Sequence, residues 1–401
     1  MDGGDGRALS RQETIDWLRL IRSENVGPVT FHALLRRFGT PATALDALPE
    51  LATRGGRKKP IKICPRTVAE KELNRLEKLG GHALACGHAG YPALLAALDD
   101  APPLLFVRGH PALLDQPAIA LVGARNASAN GRRMARTLAH ELASEGLLVV
   151  SGLARGIDGA AHTGALGDGT LAGGTCAAMA GGVDVVYPPD HAQLYDELAT
   201  RGVLISEMPV GTEPQARHFP RRNRLISGLS LGVVVVEAAL KSGSLITARL
   251  AGEQGREVFA VPGSPLDPRA KGCNRLLRDG AVLVESTRDV LDGLRPLLRS
   301  DPHESPARGY LFGALGWETD MRTEGEMAGS EVTESELARA RSEIAELLDP
   351  TPVAVDEVIR QCQLSPAIVT LVLLEMELAG RCERHPGNRV ARRQDDIADA
   401  S

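Results

Sequence analysis

The densest concentration of possible chemistry lies in residues 217–224, RHFPRRNR, where four arginines surround one aromatic side chain, Phe219. Residues 232–236 follow as a glycine and four valines, a β-branched apolar run typical of a buried strand. A Lys-Ser-Gly-Ser turn at 241–244 then precedes residues 245–251, LITARLA, which predict a helix with a serine cap. The predicted order is basic loop, core strand, glycine turn and helix.

The turn at 241–244 has the features of an anion site. A glycine-containing turn at a helix N-terminus exposes unpaired backbone N–H groups and carries a partial positive charge. Lys241 adds a full charge, and the arginine run adds several more. The alternative is that Ser244 is only a helix cap and the arginines only a solvated surface. We favour a ligand that carries phosphates, because the turn and the arginines flank the same strand.

Length and composition indicate an ordinary globular protein. The 401 residues allow two or three domains, and 43% of them are hydrophobic and 24% charged. The first residues have no apolar signal region, and no stretch approaches the length of a membrane span, so we expect a cytoplasmic protein without membrane contact. The six cysteines form no CxxC pair, which predicts free thiols and no metal site.

The formal net charge of −5 is distributed unevenly. Residues 1–114 carry 16 basic and 12 acidic side chains, residues 115–300 carry 20 and 19, and residues 301–401 carry 10 and 20. Nucleic-acid-binding proteins usually have a basic total. Any such function of this chain therefore has to depend on a local patch.

Strands and helices alternate from residue 118 onward, which predicts a mostly parallel sheet covered on both faces. The predicted strands are 119–122, 147–150, 175–179, 203–206, 232–236, 258–261 and 281–284. Ligands of such sheets bind at the carboxyl ends of the strands. Here those ends carry small residues and cations, namely Gly123, Arg125, Ser151, Gly152, Gly181, Gly182 and Lys241 to Ser244. We expect them to form one groove.

The flanking segments predict two smaller modules. Residues 14–48 predict helices joined by a glycine turn at 25–30, similar to a helix-hairpin-helix whose turn amides can bind phosphates, although a packing domain without a ligand explains them equally well. Residues 299–335 are rich in Pro, Gly and acidic residues and predict a linker, with Tyr310, Leu311, Phe312 and Trp317 as possible docking side chains. Residues 336–393 predict three helices and a hairpin. The third helix, 364–378, has two glutamates and no Lys or Arg, which favours packing or partner binding over duplex recognition.

Cofactor and catalytic patterns are weak. Residues 123–128, GARNAS, are not GxGxxG, and no acidic residue follows the next strand where a ribose would require one, so no cofactor is predicted. Asp158 and His162 lie four residues apart on one helix, and a helix cap or a buried hydrogen-bonded pair explains them at least as well as catalysis does. No Ser/His/Asp spacing and no carboxylate pair stands out in the sequence.

Eight ordered sequence blocks together resemble the bacterial DNA-processing protein A (DprA/Smf) family, over roughly residues 10–393. The blocks are VGARNASANG (122–131), SGLARGIDGAAHTGAL (151–166), GGTCAAMAGGVDVVYP (173–188), ISEMPVG (205–211), FPRRNRLISGLS (219–230), KSGSLITARLA (241–251), FAVPG (259–263) and GCNRLLRDGA (272–281). The resemblance implies an α/β fold, with an extended Rossmann-like, mostly parallel sheet between an N-terminal SAM-like or helix-hairpin-helix domain and a C-terminal winged-helix domain. The expected boundaries are 1–110, 111–298, the linker 299–335, 336–393 and a tail at 394–401.

The resemblance also implies binding of single-stranded DNA without catalysis, homodimerisation, and delivery of that DNA to the recombinase RecA during natural transformation. In this sequence, Arg125, Arg222, Arg224 and Lys241 are expected to hold phosphates, and Phe219 to stack on a base. Ser242, Gly243 and Ser244 are expected to donate hydrogen bonds. The full candidate DNA-binding set is Gly123, Arg125, Ser151, Gly152, Phe219, Arg221, Arg222, Asn223, Arg224, Lys241, Ser242, Gly243 and Ser244. Asn130 stands where the family often has an aromatic residue, and Cys176 to Met179 replace a bulkier aliphatic strand.

Two other functions compete with this interpretation. One is a nucleotide-binding Rossmann-type hydrolase resembling the phosphoribohydrolases, whose PGGxGTxxE block is broken here by Pro262-Gly263-Ser264-Pro265 without a Glu at the required offset. The other is a pure interaction scaffold, which predicts no DNA binding above background.

Overall fold

The computed structural model describes residues 7–169, 173–299, 334–385 and 387–393. The chain divides into a central unit, Met1–Ala8 with Glu72–Trp317, and a helical unit, Leu9–Lys71 with Glu318–Ser401. The expected linker and tail fall almost entirely outside the described residues.

Four helices come first, and strands then alternate with helices through the central sheet. The helices are α1 Arg11–Ile21, α2 Pro28–Phe38, α3 Pro41–Arg54, α4 Arg66–Lys78, α5 Ala93–Ala96, α6 Ala129–Ser144, α7 Ile157–Leu166, α8 Ala192–Arg201, α9 His218–Leu229, α10 Ser244–Glu253, α11 Lys271–Arg278, α12 Thr287–Arg299, α13 Glu334–Leu347, α14 Val355–Cys362 and α15 Pro366–Ala379. The strands are β1 His82–Ala85, β2 Leu104–Gly109, β3 Ala118–Val122, β4 Leu148–Ser151, β5 Gly174–Ala178, β6 Val203–Ser206, β7 Gly232–Val235, β8 Glu257–Ala260, β9 Val282–Leu283, β10 Val353–Ala354, β11 Cys382–His385 and β12 Arg389–Arg392.

The central unit is built on a nine-stranded sheet with the order β1-β2-β6-β5-β4-β3-β7-β8-β9. The strands from β6 to β9 in this order are parallel, whereas β2 is antiparallel to both β1 and β6. Successive strands run outward from β3 in one direction and from β7 in the other. The topological switch point of the sheet therefore lies between β3 and β7, where a ligand crevice is expected.

Both faces of the central strands, β3 to β7, are buried, which explains why these strands are almost continuously apolar. On β3, Ile119 and Leu121 pack with residues of α6, α7 and α12, while Ala120 and Val122 pack with residues of α9, α10 and α11. Alternate residues of one strand thus serve two separate cores, because successive side chains of a strand point to opposite faces. The predicted mostly parallel sheet with helices on both sides is confirmed.

Two features of the central unit differ from the sequence analysis. Strands β1 and β2 join the sheet, so it begins before the expected boundary at residue 111. The arginine run is not a loop but the start of α9, because Arg, Asn and Leu can all be accommodated in a helix and its one proline, Pro220, lies in the first turn, where no helical N–H bond is lost.

The helical unit contains the predicted winged helix, with α13 to α15 against a small sheet of order β10-β12-β11. Its Leu337, Ile344, Val358, Val372 and Leu373 form one buried cluster.

Within the helical unit, α15 also packs on the N-terminal helices. Thr30 of α2 donates a hydrogen bond to Glu377, 2.8 Å away, and Asn25 of the glycine turn donates to the backbone oxygen of Leu378 at 3.1 Å. The backbone of Glu375 lies directly against Gly55, at the end of α3. The glycine turn that resembles a helix-hairpin-helix site is thus a contact between the two modules, which favours its packing interpretation.

Among the described residues, no single helix has the length and apolarity to cross a membrane. The pair Val355–Cys362 and Pro366–Ala379 meets the criterion only when joined, with a bend of 118° between them, and α15 is largely buried in the helical unit.

Candidate nucleic-acid interface

The carboxyl ends of β4, β3 and β7 lie side by side at the switch point, because β3 pairs in parallel with both of its neighbours. These ends carry Gly152, Arg125 and, a few residues past β7, the turn that begins at Lys241. The N-terminal part of α9 reaches the same edge, since the Arg222 guanidinium donates a hydrogen bond to the Ala178 oxygen at the end of β5, 3.2 Å away. The structure therefore brings predicted strand ends together, and it adds the arginine run, which the sequence predicts as a basic loop, as the start of a helix.

The Arg222 guanidinium packs directly against Gly152. A Cβ atom at Gly152 would be 1.4 Å from Nη1 of Arg222, so glycine is the residue type that leaves room for the guanidinium. Arg222 is only 5% exposed, and within the described residues its Nε has no hydrogen-bond partner. Desolvation lowers its pKa, while the Asp158 carboxylate acts in the opposite direction. The site thus contains a positive charge with spare hydrogen-bonding capacity.

Phe219, one helical turn before Arg222, has two guanidinium groups close to its ring. The guanidinium carbon of Arg125 is 5.0 Å from the Phe219 ring centroid, and that of Arg222 is 5.9 Å from it. Both distances lie within the range of cation–π attraction. The ring is half-buried and Arg125 is exposed, so an aromatic surface flanked by cations faces the edge of the sheet.

Two buried side chains of α7 hold the loop between Gly152 and α7. The backbone N–H of Ala154 donates to Asp158, and that of Leu153 donates to Nε2 of His162, both at 3.3 Å. The hydroxyl of Thr175 is 2.7 Å from Nδ1 of His162 and donates to a strand oxygen, so the ring is neutral with its proton on Nδ1. The pair therefore fixes the loop, in agreement with the buried, hydrogen-bonded alternative.

Burial sets the ionisation of this pair. Desolvation lowers the pKa of His162 to about 3, with smaller contributions from the charges of His191 and Arg222. Desolvation also raises the pKa of Asp158, against the opposing effects of Arg222 and of backbone hydrogen bonds. His162 is therefore neutral throughout the physiological pH range.

Two of the candidate DNA contacts are structural. Arg224 is 9% exposed, donates to the backbone oxygen of Asp100 at 2.7 Å and forms an ion pair with Glu207, so the expected phosphate contact is replaced by an internal one. Ser151 is fully buried, and its hydroxyl donates to the Leu121 oxygen of the neighbouring strand at 2.6 Å. Both side chains therefore have partners within the protein, because the helix and the strand that carry them face the core at these positions.

The glycine turn is tied to α9. Nδ2 of Asn223 donates to the Gly243 oxygen at 3.4 Å, and the hydroxyls of Ser242 and Ser244 lie 2.7 Å apart in a mutual hydrogen bond. Ser244 is buried and begins α10, whereas Lys241 and Gly243 are exposed. Arg221 is exposed as well. Within this turn, the Lys241 side chain and the Gly243 backbone are therefore the groups that a ligand can reach.

Sequence analysis missed one residue at the switch point, Glu237. Its carboxylate accepts hydrogen bonds from the backbone N–H and the hydroxyl of Ser128, at 2.8 and 2.5 Å, and lies so close to Gly131 that a Cβ there would be 2.4 Å from Cδ of Glu237. This is the N-terminus of α6, where a Rossmann protein binds a phosphate. An acidic residue directly after the valine strand was the available signal. The chain's own carboxylate fills the nucleotide position, which counts against the nucleotide hydrolase.

The sequence and the fold match known proteins along most of the chain. Residues 82–295 match the family model of DNA recombination-mediator protein A, residues 11–74 that of the DprA-like N-terminal HHH domain, and residues 328–388 that of the DprA winged helix domain. Protein Smf of Escherichia coli is 39% identical over 82% of each chain, and Protein Smf of Synechocystis is 32% identical over 96% of this chain and all of its own. The crystal structure of DNA processing protein A from Streptococcus pneumoniae covers 71% of this chain and 98% of its own, with a TM-score of 0.59 and 36% identity.

Proposed function

Because the chain belongs to the DprA/Smf family of DNA recombination mediators, we propose that it binds single-stranded DNA along the carboxyl edge of its nine-stranded sheet, without catalysing a reaction. Arg125 and Lys241 contact phosphates, Phe219 stacks on a base, and Arg222 supplies buried positive charge behind the ring. The backbone of Gly243 and the exposed Arg221 border the same path. Gly123, Gly152 and Asn223 shape the groove, whereas Ser151 and Arg224 stabilise the fold.

The observation that carries the proposal is the position of Phe219 beside two guanidinium groups at the carboxyl edge of the sheet. Single-stranded DNA requires cations along its backbone and flat surfaces for its unpaired bases. A duplex offers its bases only at groove edges, where this ring cannot stack. The arrangement therefore favours single strands over duplexes.

In the cell, we expect the chain to act in the cytoplasm as a homodimer that protects incoming single strands during natural transformation and passes them to RecA. The RecA and homodimer assignments rest on family membership.

The direct test is the fluorescence anisotropy of a labelled 30-mer, single-stranded or duplex, titrated with the parent protein and with the Arg125→Ala and Lys241→Ala variants. The matched control is Arg278→Ala. Arg278 is also exposed but lies at the C-terminal end of α11, which leads to the amino ends of the strands. Because each variant changes one exposed cation, differences in binding report the position of that cation.

We expect the parent to prefer the single strand, and each site variant to weaken binding by roughly 1 kcal/mol or more, since an exposed phosphate contact is a charge-assisted hydrogen bond. The Arg278→Ala variant should bind like the parent. Equal binding by all four proteins would refute the groove assignment. Preferential binding of the duplex would refute the proposed function itself.

A further inference from the structure

Most of the aromatic side chains described in the central unit are buried. Among its described residues, Tyr91, Phe106, Tyr195 and Phe259 lie in the core. The two that do not are Phe219, which is half-buried, and Tyr187, which is 42% exposed. These two rings are neighbours, with centroids 5.7 Å apart and planes inclined at 58°. Over residues 72–169 and 173–299, the exposed aromatic surface is therefore concentrated at one place.

The segment that carries Tyr187 is anchored to the loop behind the DNA groove. His191 lies 3.0 Å from the Leu153 oxygen through its Nδ1, and Asp190 accepts a hydrogen bond from Arg155 at 2.8 Å. The ring of His191 also lies so close to Gly159 that a Cβ there would be 2.7 Å from its Cε1. These contacts hold the segment just after Tyr187 against the loop that follows Gly152. The backbone position of Tyr187 is therefore set by contacts close to it in sequence, and its ring packs against Phe219.

We propose that Tyr187 is a second base-stacking residue, which with Phe219 forms a two-ring surface for neighbouring nucleobases of one DNA strand. This inference rests on the proposed function and extends its groove toward β5. Tyr187 follows the loop after β5, and Lys241 follows β7, three strand positions away. At about 4.8 Å per strand, the bound DNA runs across roughly 14 Å of the sheet edge. The aromatic rings lie at one end of this path and the lysine turn at the other.

The experiment compares Tyr187→Ala and Tyr187→Phe with the parent, using two probes, a 30-mer of thymidylate and a 30-mer of the same length with abasic sites throughout. The abasic probe presents phosphates but no bases, so it reports the electrostatic part of binding alone. Tyr187→Phe keeps the ring and removes only the hydroxyl. We expect Tyr187→Ala to weaken binding of thymidylate roughly tenfold, with Tyr187→Phe close to the parent and all three proteins alike on the abasic probe.

Two results would overturn the inference. One is that Tyr187→Ala binds the thymidylate 30-mer as tightly as the parent does, while the parent still binds single strands in a salt-dependent manner. The proposed function would then stand without this residue. The other is an equal loss on both probes, which would assign Tyr187 to packing or phosphate binding. If the parent binds neither probe, the proposed function fails as well.

A measurement on the parent protein covers the case in which Tyr187→Ala unfolds. Thymidylate with single 5-iododeoxyuridine substitutions is photocrosslinked to the parent, and the crosslinked peptides are identified by mass spectrometry. A crosslink at Tyr187 supports the stacking assignment. Crosslinks that reach Phe219 from every substituted position, and never Tyr187, overturn it.

Discussion

Arg222 combines a buried position with an incomplete set of partners. Its guanidinium lies on Gly152 and beside Phe219, with one hydrogen bond of 3.2 Å to the Ala178 oxygen. An arginine in such a place loses its water shell, and Asp158 and the ring recover part of that cost. Because this cost is met during folding, a phosphate that approaches the edge of the sheet meets a preorganised positive charge.

Replacing Gly152 by alanine should disrupt the proposed DNA-binding site. The added methyl group would displace the Arg222 guanidinium, because its carbon would lie 1.4 Å from Nη1. We expect weaker binding of single strands and a loss of about 1–3 kcal/mol in the free energy of unfolding, as for other overpacked sites. Urea unfolding and anisotropy titration measure the two effects. Gly243→Ala, which has open space around its Cβ position, should keep the stability of the parent, and an equal loss in both variants would contradict the explanation.

The neutral His162 makes stability depend on pH. Its pKa is about 3 in the folded chain and about 6.5 in an unfolded one, so protonation favours unfolding. The free energy of unfolding should fall as the pH drops below about 6.5, by up to about 1.4 kcal/mol per pH unit from this residue. Urea titrations at pH 7 and pH 5 should show a smaller difference for His162→Gln than for the parent. The exposed His140→Gln serves as the control, and a parental difference in His162→Gln would exclude this residue as the cause.

At the scale of elements, the sequence predicts regular features well and local context poorly. All seven parallel strands lie within about two residues of their predicted positions, because buried parallel strands are short apolar runs between glycines. Strands β1 and β2 are not predicted from the sequence, because β1 is only half-buried and both strands precede the alternating strands and helices that begin at residue 118. The meeting of the glycine-rich strand ends at one edge is predictable from the sequence, because the carboxyl ends of parallel strands lie together. The burial of Arg224 is not, because its partner carboxylates come from distant parts of the chain.

The packing of α15 on the N-terminal helices can be tested at Gly55. A Cβ there would be 2.0 Å from the backbone oxygen of Glu375, so Gly55→Val should force the two modules apart. We expect faster hydrogen exchange in α15 and a loss of about 1–3 kcal/mol in the stability of the helical unit. Hydrogen exchange followed by mass spectrometry gives the first, and urea unfolding the second. Gly27→Ala, with no atom within 4 Å of its Cβ position, is the control; unchanged exchange in Gly55→Val would mean that the contact is not maintained in solution.

For the whole molecule, the acidic total of −5 means that attraction to DNA comes from a local set of cations. Four exposed cations on or near the groove that form no ion pair in the described parts of the chain are Arg125, Arg217, Arg221 and Lys241. If each neutralises one phosphate, the logarithm of the affinity for single strands should fall with the logarithm of the salt concentration with a slope of about −3. Titrations between low and physiological salt measure this slope. A slope near zero would show that stacking alone supplies the affinity, and a slope far steeper than this would require cations from elsewhere in the chain.

The carboxylate of Glu237 at the N-terminus of α6 has a consequence for life in a crowded cell. Mononucleotides and dinucleotides are abundant there, and an open Rossmann crevice would collect them. In this protein the Glu237 carboxylate, which accepts hydrogen bonds from Ser128 at 2.8 and 2.5 Å, lies where their phosphates would bind. Under the proposed function, we expect free nucleotides to compete poorly with single-stranded DNA for this edge of the sheet.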